Sequence, residues 1–344
     1  MTTHDPAAKP VLVSGVQANG DLHLGNLIGA IDQWVKLLDS HDSFVFLADL
    51  HALTTPQSGP PLREVTRQAA ALYVAAGLDP ARCHIYRQSD LAPYHTELTW
   101  YLTCVTPVGQ LQRMTQFKSK SDQQKAEVGA GLLTYPILQA ADIALYDAEV
   151  VPVGHDQLQH LELTRDIVEM FNRRFGGGKG DGDGILVMPE AKLPSVGARV
   201  LGLDDPTRKM SKSLAKVHSG HAVFLLDEPK VARKKIMRAV TDSGNDLDYA
   251  TASPGVKNLI EIGAAVSSLE DPAQFVKAHD VQSYGQLKSA VADAVVERLA
   301  PIQAAYHELM ADPTAVDDIL AAGAAAAAPI AERTIARVRA AQGF

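Results

Sequence analysis

A chain of 344 residues exceeds one ordinary domain of roughly 100–200 residues, which excludes a mini-protein and implies two domains or one elaborated one. With 46% hydrophobic and 21% charged residues, 25 glycines and 19 prolines, it is neither disordered nor collagen-like and can bury a sizeable core. The formal net charge of −8 excludes coating of nucleic acid by bulk attraction, since phosphates are neutralised by Lys and Arg, and leaves room only for a local basic patch. No window approaches the roughly 18 uninterrupted apolar residues of a membrane span. Met1 to Lys9 lacks the apolar core of a secretory signal, so a cytoplasmic chain with no membrane contact is expected. Cys83 and Cys104 are not spaced as a zinc or redox pair, and are expected as buried bystanders.

The first strand is expected at Pro10 to Val13, followed by a glycine-bearing loop and an amphipathic helix on Leu22, Leu27, Ile31, Trp34, Val35 and Leu38. A second unit follows, with a strand at Phe44 to Leu47 and a helix through Val65, Ala69, Leu72 and Ala76, and a third strand is expected at His84 to Tyr86. Such alternation implies a parallel sheet covered on both faces, the doubly wound, Rossmann-like α/β layout. A polar helical insertion is expected at about 105–133, and the apolar runs Tyr135 to Tyr146 and Val150 to Val153 are expected to resume the sheet. The segment GGGKGDGDG, Gly176 to Gly184, cannot build a core and reads as a loop of no assigned function. Helices dominate the remainder, at Lys230 to Val240, Val256 to Val266, Tyr284 to Met310 and Pro329 to Ala341, with Pro329 in a first turn. Trp34 and Trp100 are expected in the core.

Two segments carry chemistry. Ser14 to Asn26 lies between a strand and a helix N-terminus, where free N–H groups and the helix dipole favour an anion such as phosphate. Gly25 admits close backbone approach, while His23 and Asn26 offer neutral donors. Such a turn is as often purely structural, and its spacing matches neither the dinucleotide nor the P-loop fingerprint. Lys209-Met210-Ser211-Lys212-Ser213, preceded by Asp204 to Arg208, places two lysines three apart beside small hydroxyls, a clamp for polyphosphate or, taken alone, a solvated loop. Asp142 stands in an apolar run where an unpaired buried carboxylate is costly, so it requires a donor. His155 and His160 are five apart, unlike the helical pair of a zinc site, and no metal is expected on the protein. Arg233, Lys234, Lys235 and Arg238 form a helical basic stripe, either a solvated face or a contact for a nucleic-acid backbone, and Arg333 with Arg337 is a weaker second.

Taken together, these residues resemble the class I aminoacyl-tRNA synthetases and, within them, the bacterial tryptophanyl branch. His23-Leu24-Gly25-Asn26 is a relaxed form of the family's H-I-G-H, and Lys209 to Ser213 matches K-M-S-K-S at every position. The blocks RMTQFK (113–118), LLTYP (132–136), AADI (140–143), VPVGHDQ (151–157), LELTRD (161–166) and VTDS (240–243) are similar to this branch over nearly the whole chain. The resemblance implies a Rossmann-like catalytic domain at 1–205. It further implies a lysine loop with an all-helical anticodon-binding domain at 206–344, whose last helix returns to the first domain. It implies ATP held by Gln17, Ala18, Asn19, Gly25, Asn26, Gly154, His155, Asp156, Val200 and Lys209, Met210, Ser211, Lys212 and Ser213, with Mg²⁺. His23, Lys120, Lys209 and Lys212 would act in catalysis, Lys120 as an additional phosphate-binding lysine. By the same resemblance Asp142 accepts the indole N–H, Tyr135 and Gln157 hold the ammonium, and Gln139 and His51 border the pocket. The implied reaction joins L-tryptophan to tRNA(Trp) through an adenylate, in a homodimer. Gln139 stands where many members carry Met and is similar to tyrosyl enzymes, so a tyrosyl enzyme is the alternative, with a non-charging paralogue as the other. Ala18-Asn19 replaces the commoner Pro-Ser or Pro-Thr, which removes a hydroxyl there.

Overall fold

The computed structural model describes residues 9–16, 18, 21–55, 59–115, 117, 129–154, 157–176, 184–193 and 200–344. Gln17, Asn19, Lys120, His155, Asp156 and nearly all of the glycine-rich segment lie outside the described residues.

Among the described residues five strands, β1 (Val11–Val16), β2 (Asp42–Leu47), β3 (His84–Arg87), β4 (Val150–Pro152) and β5 (Glu190–Lys192), form one sheet of order β3-β2-β1-β4-β5. Every pairing is parallel, with Val13 beside Phe44 and Phe44 beside His84. The central strands are near-continuous apolar runs because helices cover both faces. β1 continues past the expected Val13 because Ser14, Gly15 and Val16 stay in register with Val45, Phe46 and Leu47. β5 has no apolar signal, its three residues being exposed. The first helix runs unbroken through Leu24–Asn26, a π turn at Leu27–Ile31 and Asp32–Val35.

The sheet does not resume at Tyr135 to Tyr146. That run lies largely in the helix Ala130–Ala144, whose Leu132, Ile137, Ala140, Ala141 and Ile143 are buried. A helix enclosed on most sides reads as a continuous apolar run, which periodicity cannot distinguish from a buried strand. One sheet face packs on this helix and on Ala92–Thr103 and Leu158–Phe175. On the other face the core of Leu24, Leu47 and Leu72 continues into Leu259, Leu287 and Leu299 of the helices Pro254–Val266 and Tyr284–Ala311.

The final helix begins at Pro313, where the Asp312 side chain accepts from the Thr314 N–H at 3.1 Å, and runs through Pro329 to Gln342. Pro329 is therefore interior rather than in a first turn. By length and composition this helix could cross a membrane. Here its stripe of Val316, Leu320, Ala327, Ala331, Ile335 and Val338 is buried in the two cores. A Cβ on Gly323 would stand 2.0 Å from the Ile85 carbonyl oxygen, so only glycine lets the helix meet β3 this closely. Asp317 accepts from Arg67 at 2.6 Å and from buried Arg87, and Arg339 binds Glu97 at 2.6 Å. Arg337 is likewise engaged, with Asp147 and the Ile185 carbonyl.

Two expectations about the core fail. Trp100 is 67% exposed, on the outer face of its helix, and Trp34 is only partly buried. Cys83 is buried as expected, but Cys104 is exposed.

Candidate active site

The sheet order reverses between β1 and β4, and the crevice beyond the carboxyl ends of such strands is where open α/β sheets bind ligands. A cleft of about 1030 Å³ opens there. Ala18 follows β1, His51 follows β2, Gly154 and Gln157 follow β4, and Tyr135, Gln139 and Asp142 descend from the helix Ala130–Ala144. Lys212 closes one side. Eight of the expected site residues thus share one cavity.

Asp142, wholly buried, is the fixed point of the cleft. Its Oδ1 accepts from Gln88 Nε2 and His95 Nδ1, and its Oδ2 from His51 Nε2, each at 2.7 Å. Burial alone would raise this carboxyl; the His51 charge and the hydrogen bonds of His51 and His95 outweigh it and hold the group below its usual range. His95 Nε2 meets the Tyr146 hydroxyl at 2.9 Å, so a neutral ring donating through Nδ1 and accepting the phenolic proton satisfies both partners. The Gln88 amide is oriented at its other end, where Oε1 accepts from the Leu50 N–H at 3.2 Å. A carboxylate has about four lone-pair sites. Among the described residues three donors reach Asp142, two on Oδ1 and one on Oδ2, which leaves acceptor capacity on Oδ2.

Tyr135 places its ring edge-on to His51, 6.3 Å between centroids, and its hydroxyl 2.7 Å from His160 Nε2. Burial pushes that hydroxyl up to about 12. Gln157 opens the helix Leu158–Phe175, its N–H bonding the Gly154 carbonyl at 2.9 Å.

The two sequence motifs meet beside the cleft. Gly25 sits between the His23 ring and Met210. Asn26 uses its Oδ1 to accept the His23 N–H at 3.0 Å, closing the turn. His23 is buried, and burial, then the Lys209 charge, then His221, lower its imidazole to about 4. It is therefore a neutral group at neutral pH. Met210 and Val200 are buried and share a backbone hydrogen bond of 3.0 Å, anchoring the loop, while Lys209 and Ser213 are exposed. Ser211 caps the helix Lys212–Val217, accepting from the Leu214 N–H at 3.4 Å. Lys212 Nζ is paired with Asp21 at 2.5 Å.

Gln88, His95, Tyr146 and Asp21 were not singled out from the sequence. Gln88 alone carries a signal, since it follows β3 directly at the carboxyl edge of the sheet. The basic stripe divides. Arg233 is tied to Asp293 at 2.6 Å, and Lys235 to Asp227 at 2.6 Å, over the Phe224 ring. Lys230, Lys234 and Arg238, four apart along one side, remain exposed.

The family model of the class I tRNA synthetases for tryptophan and tyrosine matches residues 6–300. The chain belongs to that family. Among relatives of this synthetase, a tryptophan–tRNA ligase of Leifsonia xyli subsp. xyli is 48% identical over 339 residues, 97% of each chain. The crystal structure of tryptophanyl-tRNA synthetase from Mycoplasma pneumoniae superposes with a TM-score of 0.84 at 34% identity, covering 98% of both chains. That of the Campylobacter jejuni enzyme, complexed with ADP and tryptophan, superposes at 0.81 and 31% identity, over 97% of this chain and 99% of that one.

Proposed function

We propose that this synthetase ligates L-tryptophan to tRNA(Trp), with ATP entering as its Mg²⁺ complex. The observation that carries this reading is the remaining acceptor capacity on Asp142 Oδ2. An indole N–H is a donor only, and a buried acceptor held by three hydrogen bonds favours it over a ring with no donor, which leaves that acceptor unpaired, while the preference over a phenol is supported by the tryptophan-specific relatives. The relative bound to ADP and tryptophan supports the same pair of ligands.

In this reading the indole enters toward Asp142 between His51 and Gln139, and the ammonium turns toward Tyr135 and Gln157. The nucleotide lies across the β1 loop, held by Gln17, Ala18, Asn19, Gly25 and Asn26 together with Gly154, His155, Asp156 and Val200. The tryptophan carboxylate attacks the α-phosphate, the bond to the β-phosphate breaks, and pyrophosphate leaves with its negative charge neutralised by Lys120, Lys209 and Lys212. No protein nucleophile takes part. His23, uncharged, serves as a hydrogen-bonding partner rather than a further cation. Val200 and Met210, whose side chains are buried, act through the main chain. Removing one such charge-stabilising donor typically costs about 3–4 kcal/mol of transition-state stabilisation. The ribose hydroxyl of tRNA then displaces AMP.

We place residues 1–205 as the catalytic part and 206–344 as the lysine loop and the anticodon-reading helices, in a cytoplasmic homodimer free of membranes. Trp100 at 67% and Val108 at 58% exposure are apolar side chains that a second subunit would cover. Amino-acid-dependent exchange of pyrophosphate into ATP tests the function. Exchange with tryptophan alone supports it, exchange with tyrosine replaces it with the tyrosyl alternative, and none with either leaves a non-charging paralogue.

A further inference from the structure

Both sequence motifs are held by one short segment, 221–225. Val223 accepts from the Leu24 N–H at 3.0 Å and Leu225 donates to the Leu22 carbonyl at 2.9 Å, which fixes the chain around His23. At the other end of the segment the His221 carbonyl accepts from the Leu203 N–H at 3.0 Å, joining the hairpin that carries the lysine loop. That hairpin closes through Gly202 N–H to the Arg208 carbonyl at 2.8 Å and a bridge between Leu201 and Lys209.

The His221 side chain adds a second tie. It is buried, with Nδ1 2.5 Å from Asp204 Oδ1 and Nε2 3.2 Å from the Lys209 carbonyl oxygen. Both partners are acceptors only, so in this arrangement both ring nitrogens donate. A Cβ on Gly202 would come within 2.1 Å of the ring, so glycine is what lets the imidazole lie flat across the hairpin.

We propose that His221 and Asp204 are positioning residues of this synthetase: their hydrogen bonds set the backbone of Lys209 at a fixed offset from His23, and so aim its ammonium at the triphosphate. The proposal rests on the adenylate-forming reading above. It is specific to the ATP half of the site, because Asp142 and its partners belong to other elements and contact neither residue.

Pyrophosphate exchange with saturation in ATP and in tryptophan separately provides the test. His221→Phe keeps the ring volume without donors, and Asp204→Ala removes the acceptor from a side chain one-third exposed. Each is expected to lower kcat roughly tenfold or more, as for a lost charge-assisted hydrogen bond, while KM for tryptophan stays within about twofold. Asp204→Asn retains an oxygen acceptor and should recover most of the rate lost in Asp204→Ala. A rise in KM for tryptophan that matches the loss in kcat, or an unchanged kcat in Asp204→Ala, overturns the proposal. If His221→Phe does not fold, the two Asp204 variants decide by the same criteria. Absence of exchange in the unsubstituted enzyme with either amino acid overturns the functional reading, and the positioning role with it. Exchange there without a variant loss in kcat that spares KM for tryptophan overturns the positioning alone.

Discussion

Asp142 shows how far a single residue can be read and where reading stops. An acid isolated in an apolar run had to find donors, and that inference needs only the cost of desolvation. Its actual donors, His51, Gln88 and His95, lie 91, 54 and 47 residues away in sequence, a grouping that no local pattern encodes. The network sets an order of severity. Asp142→Ala is expected to abolish recognition of the indole while leaving ATP binding nearly intact. Gln88→Leu should cost about 1.5–3 kcal/mol in kcat/KM for tryptophan, the range for a hydrogen bond to a charged group. Exchange assays with an analogue whose indole nitrogen is replaced by sulfur check this. Discrimination between tryptophan and the analogue should shrink in both variants, and undiminished discrimination would remove Asp142 from the indole's reach.

At the scale of elements, strands with apolar signals were legible and β5, three exposed residues beside β4, was not. The helix Ala130–Ala144 was misread because burial on several faces erases the amphipathic period. The last helix was legible from its alanines but not its start, because Pro329 invited a break that the packing on β3 overrides. Asp317 fastens that helix. The hydrogen bond from Arg67 leads in lowering its carboxyl to about 2, burial opposes it, and Arg87 adds to the lowering. A carboxyl depressed on folding stabilises fully above its ordinary value near 4 and loses that contribution as pH falls toward about 2. Urea unfolding followed between pH 5 and 2 should therefore show a steeper acid loss for the unsubstituted chain than for Asp317→Asn, which is already less stable at pH 5. Equal slopes would show that the pair does not couple to folding.

Over the whole molecule, net negative charge and a positively charged function coexist because the cations are concentrated. The sequence displayed four basic residues as one stripe, yet two are consumed by Asp293 and Asp227, partners that only the packed helices reveal. The other two, Lys234 and Arg238, face solvent, as does Lys230 one turn before them outside the stripe, and each phosphate contact they make would contribute roughly 0.7–0.9 to the slope of log K against log salt. The double substitution Lys234→Ala with Arg238→Ala is expected to weaken tRNA binding and flatten that slope by between one and two, with pyrophosphate exchange unchanged. Filter binding across a salt series measures it, and an unaltered slope would assign the stripe to solvation alone.

The ion pair between Lys212 and Asp21 has a consequence for how a triphosphate would reach the second lysine. In the proposed reading the carboxylate meets the ammonium that a triphosphate would otherwise engage, so binding exchanges one anion on the second lysine for another. Asp21 is 63% exposed and returns to water when displaced, so the brake is slight, worth about 0.2–1 kcal/mol. Asp21→Asn should accordingly tighten ATP by no more than a fewfold in equilibrium titrations, and weaker binding in that variant would mean that the acid guides the lysine instead of occupying it.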